Sequence, residues 1–329
     1  MNKHSHYDEK LALPASYSRG KIGIVTITYN SALVLDDFLA SLDVQLYTNF
    51  ILIVVDNAST DGSVQKLHSY TTHERIVIAN EDNVGVAKAN NQGIRAAAEA
   101  GCEYVLLLNN DVDFESGLFK NLVQGLQEQQ SSMAVPMIYF FQPRNRIWAA
   151  GGGFQPLKGF RNYHRGETEE DIGQFSAVCL IDYAPTCCVL ITRETFAQIG
   201  LMDERYFVYS DDADFMFRAR QNNLRLAFIP SAKLWHKVSS LTGGLQSDFT
   251  IYHAARGRAL FLYKNLGRFN GWLWTMITDM LYIVRPMIGA DTRHRCAEKR
   301  RGLRDGRAIA LSPHEQIASS TRATSFTDR

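Results

Sequence analysis

Three groups of polar residues interrupt apolar stretches of this chain, and each carries atoms suited to a particular chemistry. In LLLNNDVDF, residues 106–114, an apolar run passes straight into Asn109, Asn110, Asp111 and Asp113. Two carboxylates one residue apart at a strand end offer the hard oxygen ligands of a Mg2+ or Mn2+ ion that keeps water and bridges phosphates. The same residues also make an ordinary turn. In YSDDADFMFRA, Asp211, Asp212 and Asp214 fall in the first turn of a predicted helix after Ser210, a good N-cap, and after RYFVY, which reads as an aromatic strand. The helix dipole favours acids there. Three carboxylates within four positions also repel one another, which raises a pKa toward that of a useful general base. In AKLWHK, His236 follows a short apolar run, a position open to a structural histidine and to a ligand alike.

Asp56, in VVDNASTDGS, ends a second apolar run among turn and N-cap residues. Its carboxylate either builds that turn or accepts a base N–H of a nucleotide. In NEDNVGVAKANNQGI, Gly85 stands at the mouth of a helix that then carries Asn90 and Asn91 side by side. Asparagines are poor helix formers, so a purely structural helix has little reason to place two together. The chain has neither GxGxxG nor GxxxxGK[ST], which excludes the usual dinucleotide fold and the P-loop.

The elements that must position these residues are short β-branched runs alternating with helices. From residue 21 the order is IGIVTIT, a helix at 33–42, FILIVVD, a helix at 62–70, RIVIAN, a helix at 86–100, and YVLLLN. Near-continuous apolar strands separated by such helices predict an α/β fold, a mostly parallel sheet with helices on both faces. Ligands of such sheets lie beyond the carboxyl ends of the strands, where Thr28–Asn30, Asp56–Asn57, Asn80 and Asn109–Asp111 stand. Past Phe114 the alternation loosens into a helix near 118–130, short strands, the AAGGGF cluster, helices beginning at Thr195 and spanning 211–222, and the strand LRLAFIP. The expected organisation is an N-terminal extension at 1–20, one domain at 21–245, a helical appendage at 246–310 and a flexible tail at 311–329.

A formal charge of +1 over 329 residues argues against nucleic acid or a strongly acidic partner. Locally the picture differs, because Arg293, Arg295, Lys299, Arg300, Arg301, Arg304 and Arg307 make the C-terminal end basic. Five cysteines without CxxC pairing point to a reducing cytoplasm rather than a disulfide scaffold. The first twenty residues lack the apolar core of a signal peptide. GWLWTMITDMLYIVRPMIG is broken by Asp279, Arg285 and Pro286, which favours lying on a membrane or packing in a core over spanning a bilayer. Trp272, Trp274, Phe261 and Phe269 interleaved with Arg256, Arg258 and Arg268 suit an anionic membrane interface, and equally a helical hairpin or a dimer contact. Trp148, in RIWAAGGGF, is either a stacking platform for a sugar or a core residue.

Taken in order, the YN pair, VVDNASTDGS, NxGxAxANNxGI, LLLNND, an acidic pair heading a helix, and WHK resemble the family 2 glycosyltransferases with a GT-A fold. Within that family the chain looks closest to the bacterial rhamnosyltransferase-like branch, over roughly residues 21–245. The resemblance implies a nucleotide-diphospho-sugar donor, a divalent cation (Mg2+ or Mn2+) and inversion at the anomeric carbon. By motif position Asp56 contacts the base, flanked by Tyr29 and the Ile27 backbone. Asn83, Gly85 and Asn90 line the nucleotide pocket, and Asn109 with Asn110 belong to the donor site, Asn110 facing the ribose. Asp111 becomes the metal ligand, with His236 where some members, galactofuranosyltransferases among them, have another. Asp212, the second acid of its pair, falls where the family's catalytic base lies, and Asp113 drops outside the site. Amides at 109 and 110 replace carboxylates usual in the family, which weakens the expected metal affinity. The branch further implies rhamnose from dTDP-rhamnose, a lipid-linked glycan acceptor, a role in O-antigen or other cell-envelope polysaccharide, and a place on the cytoplasmic face of the inner membrane.

Other readings remain at this stage. A galactofuranosyl- or other hexosyltransferase would share every motif. A nucleotidyltransferase would want a basic loop after the first strand, and TYNSALVLDDF has none. An inactive sugar-nucleotide scaffold would tolerate the two amides but has no use for Asp111, Asp212 and His236 together.

Overall fold

A computed structural model of the protein describes residues 20–237 and 247–312. The extension expected at 1–20, save Gly20, the domain boundary expected at 245, and the tail expected at 311–329, save its first two residues, lie outside the described residues.

The first half alternates as the sequence predicts: β1 (Ile22–Thr28), α1 (Leu35–Asp43), β2 (Phe50–Asp56), α2 (Ser63–Ser69), β3 (Arg75–Ala79), α3 (Val86–Glu99) and β4 (Tyr104–Leu108). Then come β5 (Val112–Phe114), α4 (Leu118–Glu128), β6 (Met133–Phe140), β7 (Ile147–Ala149), β8 (Gly152–Gln155), β9 (Arg161–His164), β10 (Cys179–Ile181) and β11 (Cys188–Thr192). The chain continues through α5 (Arg193–Ile199), α6 (Asp211–Gln221), β12 (Leu226–His236), α7 (Asp248–Met287) and α8 (Arg293–Leu311).

One sheet runs in the order β10-β12-β6-β11-β4-β1-β2-β3, with β5 added beside β12 and β7 beside β6. Strands β4, β1, β2 and β3 are mutually parallel, as are β6 and β12. Strand β11 lies antiparallel between the two groups, so the sheet is mixed. Strands β8 and β9 form a separate hairpin.

The apolar runs are continuous because both faces of the sheet are covered. On β1, Ile22 and Ile24 enter one core while Val25 enters the other; on β2, Leu52 and Val54 oppose Ile51 and Ile53. Helices α1, α2 and α4 cover the first face, and α3, α5, α6 and part of α7 the second. At Gly93 of α3 an added Cβ would lie 2.3 Å from Val25 Cγ1, so only glycine lets this helix settle on β1.

The expectation of a separate C-terminal appendage is only half met. Leu260 and Phe261 of α7 are fully buried members of the main core. Asp214 of α6, itself fully buried, pairs with Lys264 Nζ at 2.8 Å and accepts from Asn265 Nδ2 at 2.9 Å. The first half of α7 is therefore part of the main domain's own packing. Past a kink at Gly267 (φ 80°), the second half turns outward and exposes Phe269, Trp272, Met276, Met280, Ile283 and Met287. All five cysteines are unpaired. Among the described residues no helix is long and apolar enough to cross a membrane.

Candidate active site

At the carboxyl end of β2, Asp56 is buried and tied into its turn. Its Oδ1 accepts from Thr28 Oγ1 at 2.6 Å and Ser59 Oγ at 2.5 Å, and its Oδ2 from Ser59 N at 2.9 Å. Three of about four acceptor positions are thus taken, which leaves roughly one lone pair for a ligand. The turn reading and the ligand reading are therefore not exclusive. Beside it, Asn57 Nδ2 donates to Asn83 Oδ1 at 3.2 Å, and Asn83 Oδ1 also accepts from Gly85 N at 3.0 Å. Gly85 adopts φ 84°, and a Cβ there would lie 2.6 Å from Phe207 O, so the loop after β3 packs directly on the segment leading into α6.

The paired asparagines of α3 have a structural task that the sequence reading denied them. Asn91 Nδ2 donates to Met202 O at 2.9 Å and its Oδ1 accepts from Met202 N at 2.9 Å. Asn90 Nδ2 lies 3.5 Å from Met202 Sδ, and both residues are buried. They pin α3 to the approach of α6. Asn90, expected to line the nucleotide pocket, has its amide against Met202.

At the end of β4, Asn109 is exposed, with its backbone N–H on Cys187 O. Asn110 is buried and donates to Ile27 O at 2.7 Å and Ser31 Oγ at 3.1 Å, which ties β4 to the end of β1. Tyr29, next along, is 44% exposed. Asp111 and Asp113 part company. Asp111 Oδ1 meets His236 Nε2 at 3.1 Å, both residues nearly buried, whereas Asp113 accepts from Arg144 Nη2 at 2.8 Å and Ser41 Oγ at 3.3 Å. The β5–β12 pairing, with His236 opposite Val112 and Trp235 opposite Asp113, sets this division.

Two ligand atoms at right angles around a six-coordinate Mg2+ or Mn2+ lie about 3 Å apart, given metal–oxygen distances of about 2.1 Å. The Asp111–His236 spacing of 3.1 Å fits such an adjacent pair. Among the described residues no third His, Cys, Asp or Glu converges with them. A cation held here would take its remaining ligands from water and substrate phosphates, as Mg2+ commonly does.

Helix α6 carries the other acids. RYFVY is not a strand but an irregular segment, and Ser210 does not cap the helix; Tyr209 and Ser210 take left-handed backbone (φ 63° and 66°) under the close-packed Gly257 of α7. Nor do the three carboxylates converge. Asp214 faces inward to Arg218 Nε at 2.9 Å and Lys264. Asp212 Oδ2 accepts from Tyr183 Oη at 2.6 Å, and its Oδ1 from Ala213 N at 2.7 Å. Burial pushes the Asp212 carboxyl up, and these two hydrogen bonds pull it partly back. Burial, with the charge of Asp212, pushes Asp211 up to about 7.

Between the two acid groups runs a chain of rings. Trp148 stands edge-on to both His236 and His164, ring centroids 4.7 Å apart in each case, and His164 stacks on Tyr183 at 5.8 Å. Burial drives the His164 imidazole down to about 4 and the Tyr183 phenol far up, so both are neutral at pH 7. Cys187, buried at the head of β11, has its thiol raised by burial, then by Cys188 and the charges of Asp111 and Asp212. One sulfur thus lies within electrostatic reach of both carboxylates. Sequence reasoning missed Tyr183 and His164, because nothing in IDYAPTCC or RNYH has motif spacing.

The family described as Glycosyl transferase family 2 matches residues 23–200. That span ends before α6 and His236. The chain is 25% identical over 303 residues to an N-acetylglucosaminyl-diphospho-decaprenol L-rhamnosyltransferase of Mycobacterium tuberculosis, covering 82% of this chain and 94% of the relative. It is 25% identical over 252 residues to a dTDP-rhamnosyl transferase RfbF of Shigella flexneri, 73% of this chain and 79% of the relative. Among solved structures, a mannosyltransferase from Pyrobaculum calidifontis in complex with GDP-Man and Mn2+ superposes with a TM-score of 0.53 at 15% identity, covering 93% of this chain and 92% of that one. That likeness concerns the fold alone.

Proposed function

The chain belongs to the family 2 glycosyltransferases and has the GT-A fold, and from that premise we propose that it moves L-rhamnose from dTDP-rhamnose to a lipid-linked glycan acceptor with inversion. The observation that carries the reading is a pair of carboxylate sites, Asp111 with His236 and Asp212 with Tyr183, joined by the ring contacts of Trp148 and His164. The activities named for the two rhamnosyltransferase relatives support the sugar, and the diphospho-decaprenol relative supports a lipid-linked acceptor.

Donor binding falls to the β1–β4 end. Asp56, through its remaining lone pair, and Tyr29, beside the Ile27 backbone, take the base. Asn83 and Gly85 form the loop beyond β3, and Asn109 and Asn110 stand by the ribose. Asp111 and His236 hold a divalent cation, Mg2+ or Mn2+. When bound, that ion supplies Lewis acidity to the leaving diphosphate.

Asp212 takes the proton of the acceptor hydroxyl while that oxygen bonds to the anomeric carbon. The bond from that carbon to the diphosphate oxygen breaks on the opposite face, and the nucleoside diphosphate leaves. A raised carboxyl pKa suits this work, because the base must gain a proton near neutral pH. The outward half of α7 and the basic α8 form the surface for peripheral contact with an anionic membrane, where a lipid-linked acceptor resides. Residues 248–312 hold twelve Lys and Arg against five Asp and Glu, a local +7 in a chain of +1 overall.

A thermal-shift screen of sugar nucleotides with Mg2+ or Mn2+ tests the reading. A ligand at 100 times its Kd adds about 2.7 kcal/mol to stability. dTDP-rhamnose should raise Tm more than UDP-hexoses or GDP-mannose. A larger shift with UDP-galactofuranose would replace the sugar. Donor hydrolysis without acceptor, suppressed by EDTA, separates an enzyme from an inactive scaffold.

A further inference from the structure

Asp212 has been given the role of base, yet nothing on α6 itself aims its Oδ2. The atom that does so is the hydroxyl of Tyr183, at 2.6 Å, from the segment between β10 and β11. Tyr183 is 2% exposed. The Asn162 side chain of β9 lies near its hydroxyl and His164 of β9 stacks on its ring. The β8–β9 turn is held in its own right by Arg258 of α7, whose Nη2 donates to Lys158 O at 3.0 Å and Gly159 O at 2.6 Å, with Trp274 against Gly159. Phe154 of β8 packs between Phe217 of α6 and Phe261 of α7.

From this geometry we propose that Tyr183, braced by Asn162 and His164 of the β8–β9 hairpin, is the positioning residue of the catalytic base, fixing Asp212 so that its free lone pair meets the acceptor hydroxyl. The proposal rests on the assignment of Asp212 above. A buried phenol kept protonated can only donate to a carboxylate, so the direction of this hydrogen bond is settled by its surroundings. With Oδ1 occupied by Ala213 N–H and one lone pair of Oδ2 by Tyr183, the carboxylate cannot rotate without breaking both. Such second contacts hold reacting groups in productive geometry.

The charged and titratable groups around Asp212 are few. Tyr183 comes from the β10–β11 segment, Asp211 from α6, and Cys187 from the start of β11. Lys264 and Arg258 of α7 are engaged elsewhere, with Asp203 and Asp214 and with the hairpin carbonyls. Removing the Tyr183 hydroxyl therefore takes away the one side-chain donor to the Asp212 carboxylate among the described residues.

The test is Tyr183→Phe in the full chain, assayed with the sugar nucleotide that the thermal-shift screen selects. We expect kcat to fall roughly 10- to 100-fold, the worth of one hydrogen bond to a charged group. The KM for donor should stay put, and the acid limb of kcat/KM should move to higher pH. Carbon-13 NMR of aspartate-labelled protein should show the Asp212 carboxyl, assigned by its loss in Asp212→Asn, titrating at higher pH than in the wild type. Unchanged kcat and an unchanged titration would overturn the proposal. Asn162→Ala leaves the tyrosine in place and should move both readouts the same way by less; no movement there, should Tyr183→Phe not fold, counts equally against it. If Asp212→Asn itself retains full transfer, the base assignment has failed; if it is dead while Tyr183→Phe is normal, only the positioning role has.

Discussion

The acids after β4 and the acids heading α6 meet opposite fates within a few residues of one another. After β4, Asp111 goes to His236 while Asp113, two positions on, is taken by Arg144 and Ser41. On α6, Asp212 goes to Tyr183 while Asp214, two positions on, is taken by Arg218 and Lys264. In each pair one carboxylate meets a ring, His236 or Tyr183, and the other is held by basic groups of the scaffold. The means differ: strand pairing separates the first pair, through the β5–β12 register, and helical phase separates the second, since positions two apart on a helix face different ways. The scaffold partners differ in depth too. Asp113 and Arg144 are both partly exposed, whereas Asp214 is sealed.

The sharpest way to break this comparison is Asp212→Asn, which should cost about 10²- to 10⁴-fold in kcat, the usual worth of a general base. Donor affinity by calorimetry should hold within about twofold, as expected of a transition-state contact. An equal loss of affinity would move Asp212 to the donor wall. Next comes Asp214→Asn, which strands Lys264 and Arg218 beside a buried neutral amide. It should lower stability by about 3–5 kcal/mol in urea unfolding while leaving activity per folded molecule intact. Loss of turnover without loss of stability would put Asp214 in the cleft after all.

A smaller effect separates the two acids of the α6 pair by pH. Asp211 is raised from 3.8 to about 7, so its contribution favours the fold while it is neutral. That contribution is complete below the unfolded pKa near 3.8 and is lost as pH rises through about 7. On the role proposed for Asp212 activity runs the other way, because a base works only when ionised and its raised pKa makes kcat/KM fall as pH drops. Thermal stability and turnover measured across pH 5 to 8 should therefore slope in opposite senses; parallel slopes would remove Asp211 from the neutral state. The smallest effect is that of Asp113→Asn, worth less than about 1 kcal/mol as a partly exposed pair. It should leave cation dependence of transfer unchanged, whereas Asp111→Asn should weaken it. Equal effects of the two would restore the Asp111–Asp113 pair as the metal-binding unit.

The fold was legible in the first hundred residues because local signals agreed there: apolar strands of seven and five residues, helices of fitting length, and polar residues at every strand end. Later strands such as β5 and β10 are three residues long, and their places in the sheet depend on β12, distant in the chain. The RYFVY segment misled for a related reason. Its aromatic composition suits a strand, but Gly257 and Gly85 press on it from two sides and hold it irregular. Asn90 and Asn91 misled in the opposite sense, since a helix interior accepts a costly residue when a loop such as that at Met202 needs its amide.

By itself the sequence determined the residue chemistry and its order: amides and carboxylates at strand ends, an acidic helix start, a histidine after the last strand, and a basic, aromatic C-terminus. Those follow from composition and local periodicity, which any stretch carries alone. Only the tertiary structure decided which acid of each cluster is tied into the scaffold, that His236 closes on Asp111, and that Tyr183 and the β8–β9 hairpin stand behind Asp212. The reason is physical. Such contacts join positions 125 and 29 residues apart, and no local propensity encodes a pairing that exists only once the sheet has closed and both side chains have left water.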